Sequence, residues 1–461
     1  MKTPVLEQLA KEGIILDQYY SQSRCSPSRA ALLTGRYPYK MSIQRGNISP
    51  FRPYGLATMI PTLPEILKSL GYTTHLVGKW HLGFCNEDYL PTQRGFDTFF
   101  GQYSQQTDHF TRVDSQNKHI GAGYDLWRNE TLSTDGAGTY SSKLWSDETV
   151  SLLDKLNMSS NPWFIQVSFT GARAPFQAPD KYMKIYDKGN KSYYKKEDFE
   201  MEVIRKGMIS AVDEAVGEIL KKLNTMRDYD NTLVVFSSDN GSPYEKANLP
   251  FRGKRGHLTE GAVRVPALVT GPIISKSRRG KRCKELIHIT DWFPTILSLA
   301  GYNESITVDG FDIWPILQKG AKGERDMIVY NLDMDDQSGN FQFGVRRENW
   351  KLLWGHPERF AVNKRPRNNH VELYDLSKDP YEMENLSKTH NDLVKVLQQL
   401  VIKLTEEMLP SFQPNRYSLG YPRYQDGLIR PGWCQTGWWN ILWKQNQTEA
   451  IKKRLLSFFK N

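Results

Sequence analysis

Four stretches of this 461-residue chain bring reactive side chains together at spacings that could do chemistry. The first is Cys25-Ser26-Pro27-Ser28-Arg29-Ala30-Ala31-Leu32-Leu33. It sets a thiol just where Ser28 to Leu33 open a helix, and the free amides of a helix N-terminus favour anions. Arg29 adds a planar fork of donors that keeps its charge. The second is Gly78-Lys79-Trp80-His81, a cation and an imidazole two residues apart. On an extended segment both would point to one face. The third, Ser238-Asp239-Asn240-Gly241, offers two hard oxygen ligands suited to Ca²⁺ or Mg²⁺. The fourth, Phe251-Arg252-Gly253-Lys254-Arg255-Gly256-His257, holds cations for an anion and an imidazole that could supply a proton. Nucleophile, charge neutralisation and proton are what cleavage of an anionic ester needs. Each stretch also has a plainer reading. Cys25 could be a buried thiol, Arg29 a surface salt bridge, and Asp239-Asn240 a β-turn.

The elements that must position these groups can be read from periodicity. Up to about residue 325, helical and strand patterns alternate, which argues for an α/β layer architecture. Residues 62–70, 145–157 and 206–224 are predicted helices; in the last, Met208, Val212, Val216 and Ile219 recur at helical spacing. Thr73–Val77, Trp163–Phe169, Leu233–Ser237 and Ala267–Thr270 are short, apolar and β-branched, the pattern of buried parallel strands. In such sheets ligand groups gather at the carboxyl ends of strands. Lys79 and His81 follow one such end and Asp239 and Asn240 another. From residue 326 onward the pattern becomes that of a smaller α+β domain: a hairpin from 341 to 353, a strand at 372–376 and a helix near 388–407. The tail at 409–446 is rich in Pro, Gly, Tyr and Trp. Trp433, Trp438, Trp439 and Trp443 are expected to pack on the body, with a carbohydrate-stacking platform as the alternative.

The motif Cys25-Ser26-Pro27-Ser28-Arg29 resembles the signature of the sulfatase family. Gly78–Gly83, Arg94-Gly95-Phe96-Asp97, Ser238–Gly241 and Glu260-Gly261-Ala262-Val263-Arg264 resemble the family in the same order, and the arylsulfatase B, I and J group most. The resemblance implies an alkaline-phosphatase-like fold: a large mixed, mostly parallel sheet flanked by helices in residues 1–325, and an antiparallel sheet in the C-terminal domain, 326–461. It implies hydrolysis of sulfuric esters, with Cys25 oxidised to formylglycine by a formylglycine-generating enzyme. A hydrated aldehyde carries two hydroxyls, one to attack sulfur and one to let the sulfate leave. Arg29 would steady that group, Lys79 would bind sulfate and His81 would orient the hydroxyl. Asp239 and Asn240 would hold Ca²⁺ or Mg²⁺ with acidic residues from a segment upstream of Met1. The sequence departs from the family at Arg173, where a histidine is usual, and at Lys254-Arg255, where the family lysine falls on Arg255 or, with a one-residue shift, on Lys254. Arginine neutralises charge but is a poor proton donor. The alternative is therefore a sulfatase-fold protein that binds anionic or sulfated ligands and turns them over weakly or not at all.

Composition sets the surroundings. The formal charge is +10, which suits a polyanionic substrate such as a sulfated glycosaminoglycan or equally a generally basic surface. The basic residues are scattered, dense only at 276–284 and 452–454, and no nucleic-acid module is visible. No apolar run has the length of a membrane span. Cys25, Cys85, Cys283 and Cys434 fit no zinc spacing, and modification of Cys25 leaves three, so any bridge leaves an odd thiol. Sequons at Asn47, Asn129, Asn157, Asn190, Asn303, Asn385 and Asn446 favour a secretory route, lysosomal or secreted. Met1-Lys2-Thr3-Pro4 leads directly into an amphipathic stretch without a signal peptide, so the expectation is an N-terminally truncated chain.

Overall fold

The computed structural model describes residues 1–115, 119–187, 196–334, 341–355, 357 and 370–437. The α/β body begins with α1 (Pro4–Glu12), β1 (Ile14–Tyr20), α2 (Cys25–Thr34) and α3 (Leu63–Ser69). It continues with β2 (Thr73–Lys79), β3 (Thr98–Gln102), β4 (Trp127–Arg128), β5 (Thr131–Leu132), α4 (Ser141–Leu156) and β6 (Trp163–Ser168). After α5 (Lys196–Leu223) come β7 (Val234–Ser237), β8 (Ala267–Thr270), β9 (Lys281–His288) and α6 (Trp292–Leu299). The body's sheet is mixed and lies in two parts, ordered β5-β4-β3-β2-β6 and β9-β1-β8-β7. Parallel pairing joins β2 to β3, β2 to β6, and β1 to β9.

The C-terminal sheet is antiparallel throughout, running β10 (Met327–Met334), β11 (Phe341–Arg347), β12 (Trp350–Gly355) and β13 (Val371–Asp375) in order. It packs on α7 (Asn391–Leu404) through Val394, Leu397 and Val401. Sequence periodicity located most of these elements to within a few residues. It did not anticipate β1, β3, β4, β5, β9, β10 or α6. Asp17 and Gln18 interrupt the apolar pattern of β1, and β9 starts inside the basic run at 276–284. Part of that run is tied to the body: Arg278 and Arg279 donate to backbone carbonyls of Leu317 and Pro272, and exposed Arg282 pairs with Asp17. Lys452 to Arg454 lie outside the described residues.

Apolar burial fixes where β2 ends, and hence where the site lies. Leu76, Val77 and Trp80 are almost wholly buried; each side chain of this size contributes about 1.5–3 kcal/mol. Strands β2, β3 and β6 approach so closely at Gly78 that an added Cβ there would lie 2.3 Å from the Ser168 carbonyl oxygen. The Arg94–Asp97 motif serves this packing. Buried Arg94 binds Glu65 of α3 at 3.0 Å and the Leu56 and Ile60 carbonyls, while Asp97 accepts from the Thr74 amide.

The tail is tied back by a disulfide between Cys85 and Cys434. Cys25 and Cys283 remain free and buried. Trp433 packs in the main core against Phe84, as expected of it; Trp438, Trp439 and Trp443 lie outside the described residues. Among the described residues no helix is long and apolar enough to cross a membrane.

Candidate active site

Helix α2 starts at Cys25 itself, in a chain that arrives extended at Arg24. Its first turn is fixed by Ser28, whose hydroxyl accepts from the Gln22 amide at 3.0 Å. That places the buried Cys25 thiol at the amide end of the helix, 3.2 Å from Asn240 Oδ1 and 3.0 Å from Arg173 Nη1. One turn on, Arg29 reaches across to Asp239 Oδ2, with Nε at 3.2 Å and Nη2 at 3.1 Å, and gives Nη1 to the Lys79 carbonyl at 2.8 Å. Lys79 ends β2 fully buried, its Nζ 4.0 Å from the same Asp239 oxygen. The side chains of Cys25, Arg29, Lys79, Arg173, Asp239 and Asn240 thus meet in one place.

His81 joins them by a different route from the one the spacing suggested. It lies beyond the end of β2 in the left-handed region, φ 64°, so the alternation of an extended strand does not orient it. Such a conformation is costly for a non-glycine residue. It is held by Ser26 Oγ donating to the His81 carbonyl at 2.9 Å and by the His81 amide donating to Tyr103. Neither ring nitrogen of His81 has a hydrogen-bond partner among the described residues.

Lys254 and Arg255 differ in burial. Lys254 is exposed, whereas Arg255 is half-buried and its charge acts on His81. Cations therefore outnumber carboxylates in this pocket: Arg29, Lys79 and Arg173 against Asp239. Burial raises the Asp239 carboxyl, but Arg29, Lys79 and Arg173 overrule it and hold it at about 2. Burial and the neighbouring Arg173 and Arg29 charges push Lys79 down to about 7. Burial and the same cations keep His81 neutral, well below the ordinary histidine range. Burial and Asp239 raise the Cys25 thiol, yet Lys79, Arg173 and Arg29 bring it below its usual value.

Sequence reading missed a second ring of residues. Asn47 accepts from the Ser26 amide at 3.3 Å and donates to Gln105 at 3.2 Å, so this sequon is half-buried and hydrogen-bonded into the site. Asn385 is likewise engaged with strand β13 through Leu373 and Val371. Asn190 and Asn446 lie outside the described residues. Gln105 and His109 reach Arg173, and no local motif marked either one.

The family model for the sulfatases matches residues 1–302. The chain belongs to the sulfatase family. A second model, the C-terminal region of N-sulphoglucosamine sulphohydrolase, matches residues 251–409 of this sulfatase. Mouse arylsulfatase J is 33% identical, over 94% of this chain and 76% of its own length. Human arylsulfatase A is 28% identical, over 91% of this chain and 86% of its own. Among solved structures, Ps i-CgsB with bound k-i-k-neocarrahexaose superposes with a TM-score of 0.76 at 24% identity, covering 98% of this sulfatase and 94% of that chain. The divided mixed sheet and separate antiparallel sheet are therefore the sulfatase fold.

Sulfatases generally use a metal ion. Asp239 and Asn240 supply two hard oxygens, but Ca²⁺ takes six to eight. The Asp239 carboxylate is bound by Arg29, and Asn240 Oδ1 faces the Cys25 thiol. No cluster of three or more His, Cys, Asp or Glu able to hold a metal occurs among the described residues. These side chains alone do not form a fitting divalent-cation site.

Proposed function

We propose that this chain hydrolyses sulfate esters at position 25, with a sulfated sugar as the substrate class. The observation that carries the reading is the pocket of three cations, Arg29, Lys79 and Arg173, around a single carboxylate at the start of α2, with Arg173 Nη1 3.0 Å from the Cys25 sulfur. A sulfate ester brings one negative charge and three oxygens to be held. Preorganised cations in a dry pocket stabilise charge that develops there. Lys79, Arg173 and Arg255 take the sulfate oxygens, while Arg29 is committed to Asp239 and to the Lys79 carbonyl.

Position 25 fits formylglycine: the side chain is buried, short, and aimed between a guanidinium and an amide oxygen. Once hydrated, that group supplies a hydroxyl to attack sulfur and a second through which sulfate is released. Asn240 Oδ1 can accept from a hydroxyl at this position. His81, neutral and with both ring nitrogens unpartnered, can accept the proton that leaves the attacking oxygen. Arg173 stands where it neutralises charge but does not hand over a proton.

A sulfated glycan is supported by the +10 charge and by relatives named for sulfated sugars, such as human N-acetylgalactosamine-6-sulfatase at 28% identity. The Cys85–Cys434 bridge supports an oxidising compartment, and with it the secretory route that leads to the lysosome or outside the cell.

The test is release of sulfate from 4-methylumbelliferyl sulfate and from sulfated glycosaminoglycan oligosaccharides, by protein expressed through a secretory pathway. The mass of the peptide carrying Cys25 is measured alongside. Formylglycine at position 25 with turnover lost in Cys25→Ala establishes the reading. An unmodified cysteine, or turnover that survives Cys25→Ala, removes it.

A further inference from the structure

Arg173 carries the pocket's most direct contact to position 25, yet it forms no ion pair with a carboxylate among the described residues. Its Nη2 donates instead to Gln105 Oε1 at 2.9 Å, and its Nε is buried without a partner. We propose that Gln105 is the positioning residue that holds Arg173 against position 25, using a neutral amide so that the charge is fixed in place but not cancelled. The inference deepens the reading of this pocket as a sulfate site and rests on it.

The amide orientations follow from one donor that has no freedom. The Ser26 backbone N–H lies in the first turn of α2 and can only donate. Asn47 must therefore present its Oδ1 to Ser26, 3.3 Å away, and its Nδ2 to Gln105, 3.2 Å away. Gln105 must in turn present oxygen to Asn47, and the same oxygen is the one Arg173 meets. A carbonyl oxygen has two lone pairs and takes both donors. The helix that starts at Cys25 thus sets Asn47, Asn47 sets Gln105, and Gln105 sets the guanidinium that returns to Cys25.

The backbone of Arg173 is secured by the same segment. Its carbonyl oxygen lies 3.2 Å from His109 Nε2 and can only accept, so Nε2 carries the proton. Nδ1 then accepts from the Ser141 hydroxyl at 2.6 Å, which accepts from Thr170 at 3.2 Å. Beyond it, Gln177 accepts from the His109 amide and donates to Asp108. Residues 105–109 therefore grip residues 173–177 at both ends.

A carboxylate at 105 would grip Arg173 more tightly and spoil its purpose, since the pair would be neutral. That asymmetry is the test. Inorganic sulfate affinity is measured by calorimetry for the wild type, Gln105→Leu, Gln105→Glu, Arg173→Ala and the double variant Gln105→Leu/Arg173→Ala. Gln105→Leu is expected to weaken sulfate about tenfold. In the Arg173→Ala background it should change affinity by less than about twofold. Gln105→Glu should also weaken sulfate while leaving Arg173 ordered. Order is read separately from the guanidinium signals of ¹⁵N-arginine-labelled protein, assigned by their loss in Arg173→Ala. Slowed, resolved Nη signals in the wild type and Gln105→Glu, averaged in Gln105→Leu, support the inference. Additive losses in the cycle, or a resolved signal kept in Gln105→Leu, overturn it. If the wild type fails to bind sulfate, the reading of the pocket falls, and the ¹⁵N comparison still decides whether Gln105 holds Arg173.

Discussion

Two of the buried clusters of charged side chains border the segment 251–264. At its far end Glu260 meets Lys351 of β12 at 2.8 Å, and Lys351 meets Glu382 at 2.8 Å, all three almost inaccessible to solvent. Tyr20 donates to Glu260 at 2.7 Å, Arg346 donates to Tyr20, and the Glu260 amide donates to Glu382. At its near end the Gly256 amide donates to the Ser23 carbonyl, two residues before Cys25. The first cluster brings two carboxylates to one lysine across the join between β1 and the C-terminal sheet, with Arg264 3.8 Å from Glu260 and Arg252 3.9 Å from Glu382. The second brings three cations to one carboxylate and leaves both His81 nitrogens and Arg173 Nε without hydrogen-bond partners among the described residues. A paired cluster is finished by folding. A pocket that holds a half-buried guanidinium, Arg173, with no carboxylate partner among the described residues needs something brought to it, so that unpaired charge, rather than the burial, distinguishes the site from the lock.

The largest effect should come from breaking the lock. Lys351→Met leaves Glu260 and Glu382 facing each other with only the more distant Arg264 and Arg252, at 3.8 and 3.9 Å. Burial already raises both carboxyls. Lys351 pulls Glu260 below its ordinary range, whereas Glu382, beside the Glu260 charge, stays above it. Removing one partner of a buried pair costs about 3–5 kcal/mol. Chemical denaturation should show a loss of that order, and folded protein should keep its sulfate affinity. A stability change under about 1 kcal/mol would mean that the lock is not needed to join the two sheets.

Acid should act on the site's supporting ring next. Burial holds His109 at about 4, so it stays neutral while it donates to the Arg173 carbonyl. The unfolded chain binds this proton below about 6.5, and the folded chain refuses it until about 4. Stability from His109 is thus complete above pH 6.5 and falls as pH drops toward 4, by about 3 kcal/mol in all. His109→Gln keeps a donor and should flatten that slope in denaturation curves taken between pH 7 and pH 4. An unchanged slope would assign the acid sensitivity to another group.

Arg173 tests what surplus charge costs in rate. Arg173→His restores a group that can give a proton to the leaving oxygen, and positioned acids contribute about 10²–10⁴-fold. Against this stands the loss of a fixed positive charge, so a net rise of about tenfold in turnover of an aryl sulfate is expected. A rate that does not move would show that protonation at this position does not limit turnover.

How far the sequence revealed each cluster depends on how its members are spaced along the chain. Cys25 with Arg29, Lys79 with His81, and Asp239 with Asn240 each lie within five consecutive residues at the end of an element, so motif and position could be read together. Lys254 and Arg255 could not be ranked from the sequence, because the burial of adjacent loop residues is set by the loop's neighbours. Asn47 looked like a glycan acceptor because a sequon carries no information about burial. Gln105, His109 and Glu382 left no trace, since each acts through one partner far along the chain. The Cys85–Cys434 pairing was open for the same reason. The body's strands were legible where they were continuously apolar and lost where polar residues broke them, as in β1.

The smallest effect should be the most telling, because it repeats the first substitution with the opposite sign. Lys79 and Lys351 are both buried, and Met can occupy either volume. Lys351 sits between two carboxylates, whereas Lys79 has Asp239 at 4.0 Å, shared with Arg29, and like charges around it. Replacing a poorly compensated buried charge by an apolar side chain is often stabilising, and Lys79→Met should add about 1 kcal/mol at pH 7. The unfolded chain keeps the Lys79 proton up to about 10.5, while the folded chain releases it above about 7. The wild type's handicap is therefore full below pH 7 and gone by about 10.5, and the variant's advantage should shrink over that window. Sulfate affinity should fall about tenfold in the same variant, since a charge-assisted contact is lost. If Lys79→Met is instead as destabilising as Lys351→Met, Lys79 is a structural cation like its counterpart, and the pocket's surplus charge is not held in reserve for an anion.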